Sequence, residues 1–167
     1  MKIYSYLYKK RSENSDREII SSVKAYLDNP NTSVTVIRDS YGKPHIVGTD
    51  GIYVSVSHAE KLLLVAVAPF EIGIDAENKE RRVKNPSALA RRYFCEDEID
   101  FLGENPTQMA FTDMWVKKEA LSKLVGRGVP AMREMSIFSE KVSLKKHNVY
   151  SGYIVYTAEW KKDTLLK

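Results

Sequence analysis

The apolar run "LLLVAVA" (62–68) is followed, after a Pro-Phe joint, by "EIGIDAEN" (71–78), a segment that reads as buried strand yet carries two acids. Successive strand side chains alternate faces. Ile72, Ile74 and Ala76 therefore point one way, and Gly73, Asp75 and Glu77 the other. Two carboxylates share one face of a strand that otherwise belongs in a core.

The rest of the 167-residue chain gives that strand ordinary globular surroundings, with 43% hydrophobic and 29% charged residues. This length suits one compact domain, or two small halves sharing an interface. The composition excludes a disordered polypeptide. A net charge of +4, spread along the chain, favours an anionic ligand or an acidic partner. No dense basic arm is present, so nucleic acid is not the expected partner. The lone Cys95 excludes an intramolecular disulfide and suits a reducing cytoplasm. The N-terminus is too short and polar for a signal peptide, and no apolar run approaches the ~20 residues of a spanning helix, so the chain is expected in the cytoplasm and off the membrane.

Along the chain, "KIYSYLY" reads as a strand, and "SDREIISSVKAYLDN" as a helix capped by Ser15 or Asp16, with Ile19, Ile20, Val23, Tyr26 and Leu27 on its apolar stripe. "SVTVIRD" alternates as a strand, "SYGKPHI" reads as a turn, and "GIYVSVSH" and "KLLLVAVAP" as strands joined through a hairpin-length link. "NPSALARRYF" and "CEDEIDFL" read as short helices. "TQMAFTDMWVKKEALSKLV" reads as a long one striped by Phe111, Met114, Leu121, Leu124 and Val125, and ended by "GRG". "VYSGYIVYTAEW" closes the chain as a strand with Tyr150, Ile154, Tyr156, Ala158 and Trp160 on one side. The fold class is α+β.

On the long helix Trp115, Glu119 and Lys123 stand at i, i+4 and i+8, along one face. A Glu–Lys pair at this spacing is also an ordinary surface pair worth ~0.3–0.5 kcal/mol, and strand-end acids are often simply solvated. Asp75, Glu77 and Glu119 together would suit magnesium, which takes oxygen ligands and shares itself with substrate phosphates. Lys123 would reach the same phosphates as a point charge. Cys95 has no hydrolase motif around it, the three histidines do not cluster as zinc ligands, and "GRG" lacks the P-loop pattern.

These motifs resemble the paired signature of the 4'-phosphopantetheinyl transferases: "GIDAE", then some forty residues later "WVKKEALSK". "YGKPHI", "VSVSHAEKLLLVAV" and "RRYFCEDE" resemble further segments of that family, so the likeness runs from Tyr41 to about Val129. Segments ahead of the acidic strand mark the longer, monomeric, Sfp-type class, although G-K-P arrives early for it, by residue 42. The resemblance implies two pseudo-symmetric halves, each a helix on a small, mostly antiparallel sheet. They would be divided as 1–70 and 71–167, with the active site between them. It implies transfer of the phosphopantetheine arm of coenzyme A to a serine of an apo acyl or peptidyl carrier protein, with release of 3',5'-ADP. By the same resemblance Asp75, Glu77 and Glu119 hold Mg²⁺. Glu119 is also the general base, and Lys123 stabilises the pyrophosphate and leaving group. His58 contacts the pyrophosphate, Lys43 binds the 3'-phosphate and Ser57 assists by hydrogen bonding. Trp115 packs against the motif helix and Lys118 pairs with an acid. The family's S-H-S-G is "SHAE" here, which places Glu60 where glycine is usual. A non-catalytic, Mg²⁺-dependent coenzyme A-binding module and a structural partner of a synthase complex are the alternatives.

Overall fold

The run at 62–68 becomes β5 (Leu62–Ala68), the centre of a three-stranded antiparallel sheet with β1 (Lys2–Leu7) and β4 (Tyr53–Ala59) on its two sides. The computed structural model describes residues 1–7, 15–148 and 150–162. Leu63, Val65 and Val67 pack with Ile19 and Val23 of α1 (Asp16–Tyr26), while Leu62, Leu64, Ala66 and Ala68 pack with Ile72, Ile74 and Ala76 of β6 (Ile72–Asn78). Both faces of β5 are covered, so its sequence has no polar position to alternate with. Each fully buried Leu or Val contributes about 1.5–3 kcal/mol relative to exposure, and this strand anchors the core.

The second sheet repeats the plan. β8 (Tyr153–Trp160) is its centre, between β6 and β7 (Val142–Lys146), and every pairing is antiparallel. The order is first strand, last strand, next-to-last strand in both sheets: β1-β5-β4 and β6-β8-β7. As α1 backs the first sheet, α4 (Gln108–Val125) backs the second, through Phe111, Met114, Leu121 and Leu124 against Ile154, Tyr156 and Ala158. Two helix-backed sheets of matching order meet face to face, the α+β architecture that the resemblance implies.

A hairpin, two short helices and a 3₁₀ turn decorate this frame. β2 (Thr35–Arg38) and β3 (Pro44–Val47) form a separate hairpin, and α2 (Pro86–Tyr93) and α3 (Glu96–Leu102) lead into α4, which a 3₁₀ turn (Val129–Glu134) follows. The turn expected over 40–46 is therefore shorter. Pro44 opens a strand, where its missing N–H costs no ladder bond. On β8, Ile154, Tyr156 and Ala158 do share a face, but Val155 between them is buried against the first half, so this strand too is covered on both sides. Tyr150 packs with the cluster on Val155's side, opposite to the expected face, because it precedes the strand and lies outside its alternation.

At the seam β4 lies against β6 without joining it in a sheet. The β6 N–H groups of Ile74 and Ala76 donate instead to the side-chain hydroxyls of Ser55 and Ser57, each at 3.0 Å. A two-residue turn, Glu60-Lys61, links β4 to β5, and Glu60 takes φ +52°. That left-handed conformation costs an L-residue roughly 1–2 kcal/mol and glycine nothing. Glu60→Gly is expected to stabilise the protein by about 1 kcal/mol. The urea midpoint checks this, and an unchanged or lower midpoint contradicts it.

Candidate active site

The site exists because β6 and α4 touch backbone to backbone. A Cβ on Gly73 would lie 1.9 Å from the Ala120 carbonyl oxygen and 2.6 Å from the Leu124 amide nitrogen. With glycine there, the helix settles onto the strand, and Asp75 and Glu77 come beside the face of α4 that carries Glu119 and Lys123. The helix is bounded by Thr107, whose hydroxyl accepts from Ala110 N–H at 3.1 Å, and by Gly126 at φ +79°.

Asp75 is only 3% exposed. Its Oδ1 accepts from Lys123 Nζ at 2.6 Å and from Ser57 Oγ at 2.9 Å, while its Oδ2 is buried without a hydrogen-bond partner among the described residues. Glu77 pairs with Arg81, whose guanidinium lies 5.6 Å from the Trp115 ring centroid. Glu119 is pushed up to about 7, by burial first and then by the Asp75 charge, with Lys123 opposing and Glu77 adding to the rise. Three acids in one poorly hydrated corner favour a bound proton, and a hard cation would take that proton's place. Among the described residues no three Asp, Glu, His or Cys side chains form a ready-made cage. Asp75 and Glu77 each face a basic side chain, Lys123 and Arg81.

Next to this corner a cavity of about 260 Å³ opens, with Arg38, Lys43, His58 and Lys123 among its lining residues. Lys43 Nζ donates to the Leu124 carbonyl at 3.0 Å, at the C-terminal end of α4. Burial pulls its ammonium below the ordinary range, with Glu71 and Asp39 pulling back. Gly126 also makes room for this lysine, since a Cβ there would lie 3.2 Å from Lys43 Cδ. On the other side of His58 an open cleft of about 570 Å³ is lined by Glu60, Glu77, Arg81 and Arg82. His58 borders both spaces. The cation-lined cavity suits a multiply charged anion, and the carboxylate corner suits the metal that would accompany it.

The sequence model of the 4'-phosphopantetheinyl transferase superfamily matches residues 71–161, more than half of the chain. The chain belongs to this superfamily. A 4'-phosphopantetheinyl transferase of Bacillus subtilis is 31% identical over 113 residues, covering 65% of this chain and 48% of that protein. The transferase psf-1 of Bacillus pumilus is 28% identical over 103 residues, covering 60% and 43%. The chain spans about half the length of the curated relatives it matches.

Within this superfamily member the structure gathers Asp75, Glu77, Glu119 and Lys123 at one corner and sets His58 and Lys43 along the adjoining cavity. Ser57 has its hydroxyl turned into the protein. It is 2% exposed, and its hydroxyl both accepts from Ala76 N–H and donates to Asp75. Lys118 pairs with Glu98 at 2.7 Å, both sealed from solvent, and it also donates to the Met135 carbonyl. Burial and the Glu98 charge push the Cys95 thiol up, against the ammonium of Lys118 3.3 Å away. Arg38 and Arg81 were not singled out from the sequence. Arg81 follows Glu77 by four residues in a polar stretch that gives no periodic signal. Arg38 reads simply as the polar end of a strand.

Proposed function

We propose that the protein transfers the 4'-phosphopantetheine arm of coenzyme A to a serine of an apo carrier protein. The serine oxygen attacks the β-phosphorus of the pyrophosphate. The bond from that phosphorus to the bridging oxygen breaks, and 3',5'-ADP leaves with the electron pair. The observation that carries this reading is the convergence of Asp75, Glu77, Glu119 and Lys123 beside a cavity lined by further cations. The donor set is all oxygen, and the partnerless Oδ2 of Asp75 is a ligand atom in waiting. Asp75, Glu77 and Glu119 would hold Mg²⁺. Held by these three acids, the ion would supply charge neutralisation for the pyrophosphate.

The chain's own groups do the rest. Glu119 takes the serine proton as general base. Lys123 sits one helical turn from Glu119 and balances charge on the pyrophosphate oxygens and leaving group. His58, at the junction of cavity and cleft, contacts the pyrophosphate, while the cavity around Lys43 and Arg38 takes the nucleotide end. We place the division of the halves at about residue 70 and read the chain as a monomer; in support, the cleft takes its lining, from His58 and Glu60 to Glu77 and Arg81, from the one polypeptide.

Incubation with coenzyme A, Mg²⁺ and a panel of apo carrier proteins, followed by intact-mass spectrometry, tests the reading. A gain of one phosphopantetheine unit that disappears with EDTA is expected. Coenzyme A binding without any mass gain points to the non-catalytic module instead. Lys43→Ala is expected to weaken coenzyme A by about ten-fold or more, as for a lost charge-assisted hydrogen bond. Dephospho-coenzyme A, which lacks the 3'-phosphate, should lose far less. Equal losses for both donors contradict the placement of Lys43.

A further inference from the structure

Ser55 and Ser57 stand two residues apart on β4, so they share a face, and both are buried. Each takes one N–H of β6 at 3.0 Å, Ser55 from Ile74 and Ser57 from Ala76. They perform the same joining task at the seam. Ser57 has a second one: its hydroxyl proton goes to Asp75 Oδ1 at 2.9 Å.

The three groups form a short relay in which every proton has a direction. Ala76 N–H can only donate, so Ser57 Oγ accepts from it and is left to donate to the carboxylate. With Lys123 Nζ on the same Oδ1 at 2.6 Å, two donors converge on one oxygen and leave Oδ2 with neither. A carboxylate buried this deeply, with one oxygen fixed twice and the other unpartnered, has its orientation set before any ligand arrives. We infer that Ser57 is a positioning residue: it orients the Asp75 carboxylate for a divalent cation and makes that orientation depend on the docking of β4 against β6. This inference rests on the reading of Asp75 as a metal-holding acid. It stands in place of the hydrogen-bonding assistance to the ligand that the sequence resemblance implies for Ser57, because the hydroxyl's one proton already goes to Asp75 and the residue is only 2% exposed.

Ser55 supplies the control. Ser55→Ala and Ser57→Ala each remove one hydroxyl rung from the seam, so both should lower the urea midpoint, Ser57→Ala by more because it also takes a donor from the buried Asp75. Only Ser57→Ala should weaken the site, by about ten-fold or more in affinity for Mn²⁺ followed by electron paramagnetic resonance. That is the usual scale for losing the partner of a metal ligand. Ser57→Thr keeps the hydroxyl and should bind Mn²⁺ like the parent. Ser57→Cys, with a weak donor of similar size, should fall between, and serves if the alanine variant does not fold.

Equal Mn²⁺ affinity in Ser57→Ala and the parent overturns the inference. So does equal weakening by Ser55→Ala and Ser57→Ala, which would make the effect one of seam loosening. A raised KM for coenzyme A with Mn²⁺ affinity intact restores the ligand-contact role and also overturns it, as does a parent protein that binds no Mn²⁺. A parent that binds Mn²⁺ and shows the serine dependence, yet modifies no carrier protein, contradicts the proposed transfer reaction and leaves the Ser57 assignment standing.

Discussion

Gly73→Ala is expected to be among the most damaging single-atom additions to the described residues. The new Cβ would stand 1.9 Å from the Ala120 carbonyl oxygen and 2.6 Å from the Leu124 amide nitrogen. Both are main-chain atoms of α4, so no rotamer change relieves the overlap. Small-to-large changes in packed cores cost about 1–3 kcal/mol when side chains can adjust, and this one must exceed the upper end. Against a total stability of about 5–15 kcal/mol that is a large share. The expected result is a urea midpoint far below the parent's, with loss of the proposed transfer even where the variant remains folded. A variant as stable and active as the parent would show that β6 and α4 do not meet as described.

Glu119→Gln is expected to do the opposite: leave the fold and remove the chemistry. The amide has nearly the volume of the carboxyl but neither the charge for a cation nor the basicity for a serine proton. Transfer should fall by about 10²–10⁴-fold on the general-base role alone. Stability of the cation-free protein should change in a pH-dependent way. Glu119 titrates near 7 in the folded protein against an ordinary 4.5, so between those values the folded state holds a proton that the unfolded chain has released. Stability therefore falls as pH rises through that window, and the acidic corner is most strained above 7. Glu119→Gln removes that contribution to the slope, so its melting temperature should drop less than the parent's from pH 5 to pH 8. Unchanged turnover in the variant would remove Glu119 from the mechanism.

Local pattern carried much of the fold. The α4 stripe, the two acids on one face of β6 and the hairpin between β4 and β5 are all short-range statements, and periodicity reports short-range order. What stayed hidden depends on distance along the chain. Nothing around Glu98 announces that Lys118, twenty residues on, will neutralise it inside the protein. Nothing around Ser57 announces an N–H and a carboxylate from β6. The expected surface pair of Glu119 and Lys123 gave way to Lys123 with Asp75, because tertiary packing offered the lysine a buried and more demanding partner. Glu60 was legible as a departure from the family pattern. Its backbone cost became visible only once the turn was seen to need φ +52°.

Lys118 and Glu119 are adjacent in sequence but roughly 100° apart around the helix axis. Lys118 is clasped by Glu98, the Met135 carbonyl and the thiol of Cys95, a socket that fits an ammonium and nothing apolar. A slip of α4 by a single residue would pull that ammonium from its socket and strand Glu98, at a cost of the order of 3–5 kcal/mol. The socket thereby works as a key for helix rotation. It sets the azimuth at which the next side chain, Glu119, leaves the helix, so a lysine sealed in the core determines where that carboxylate points.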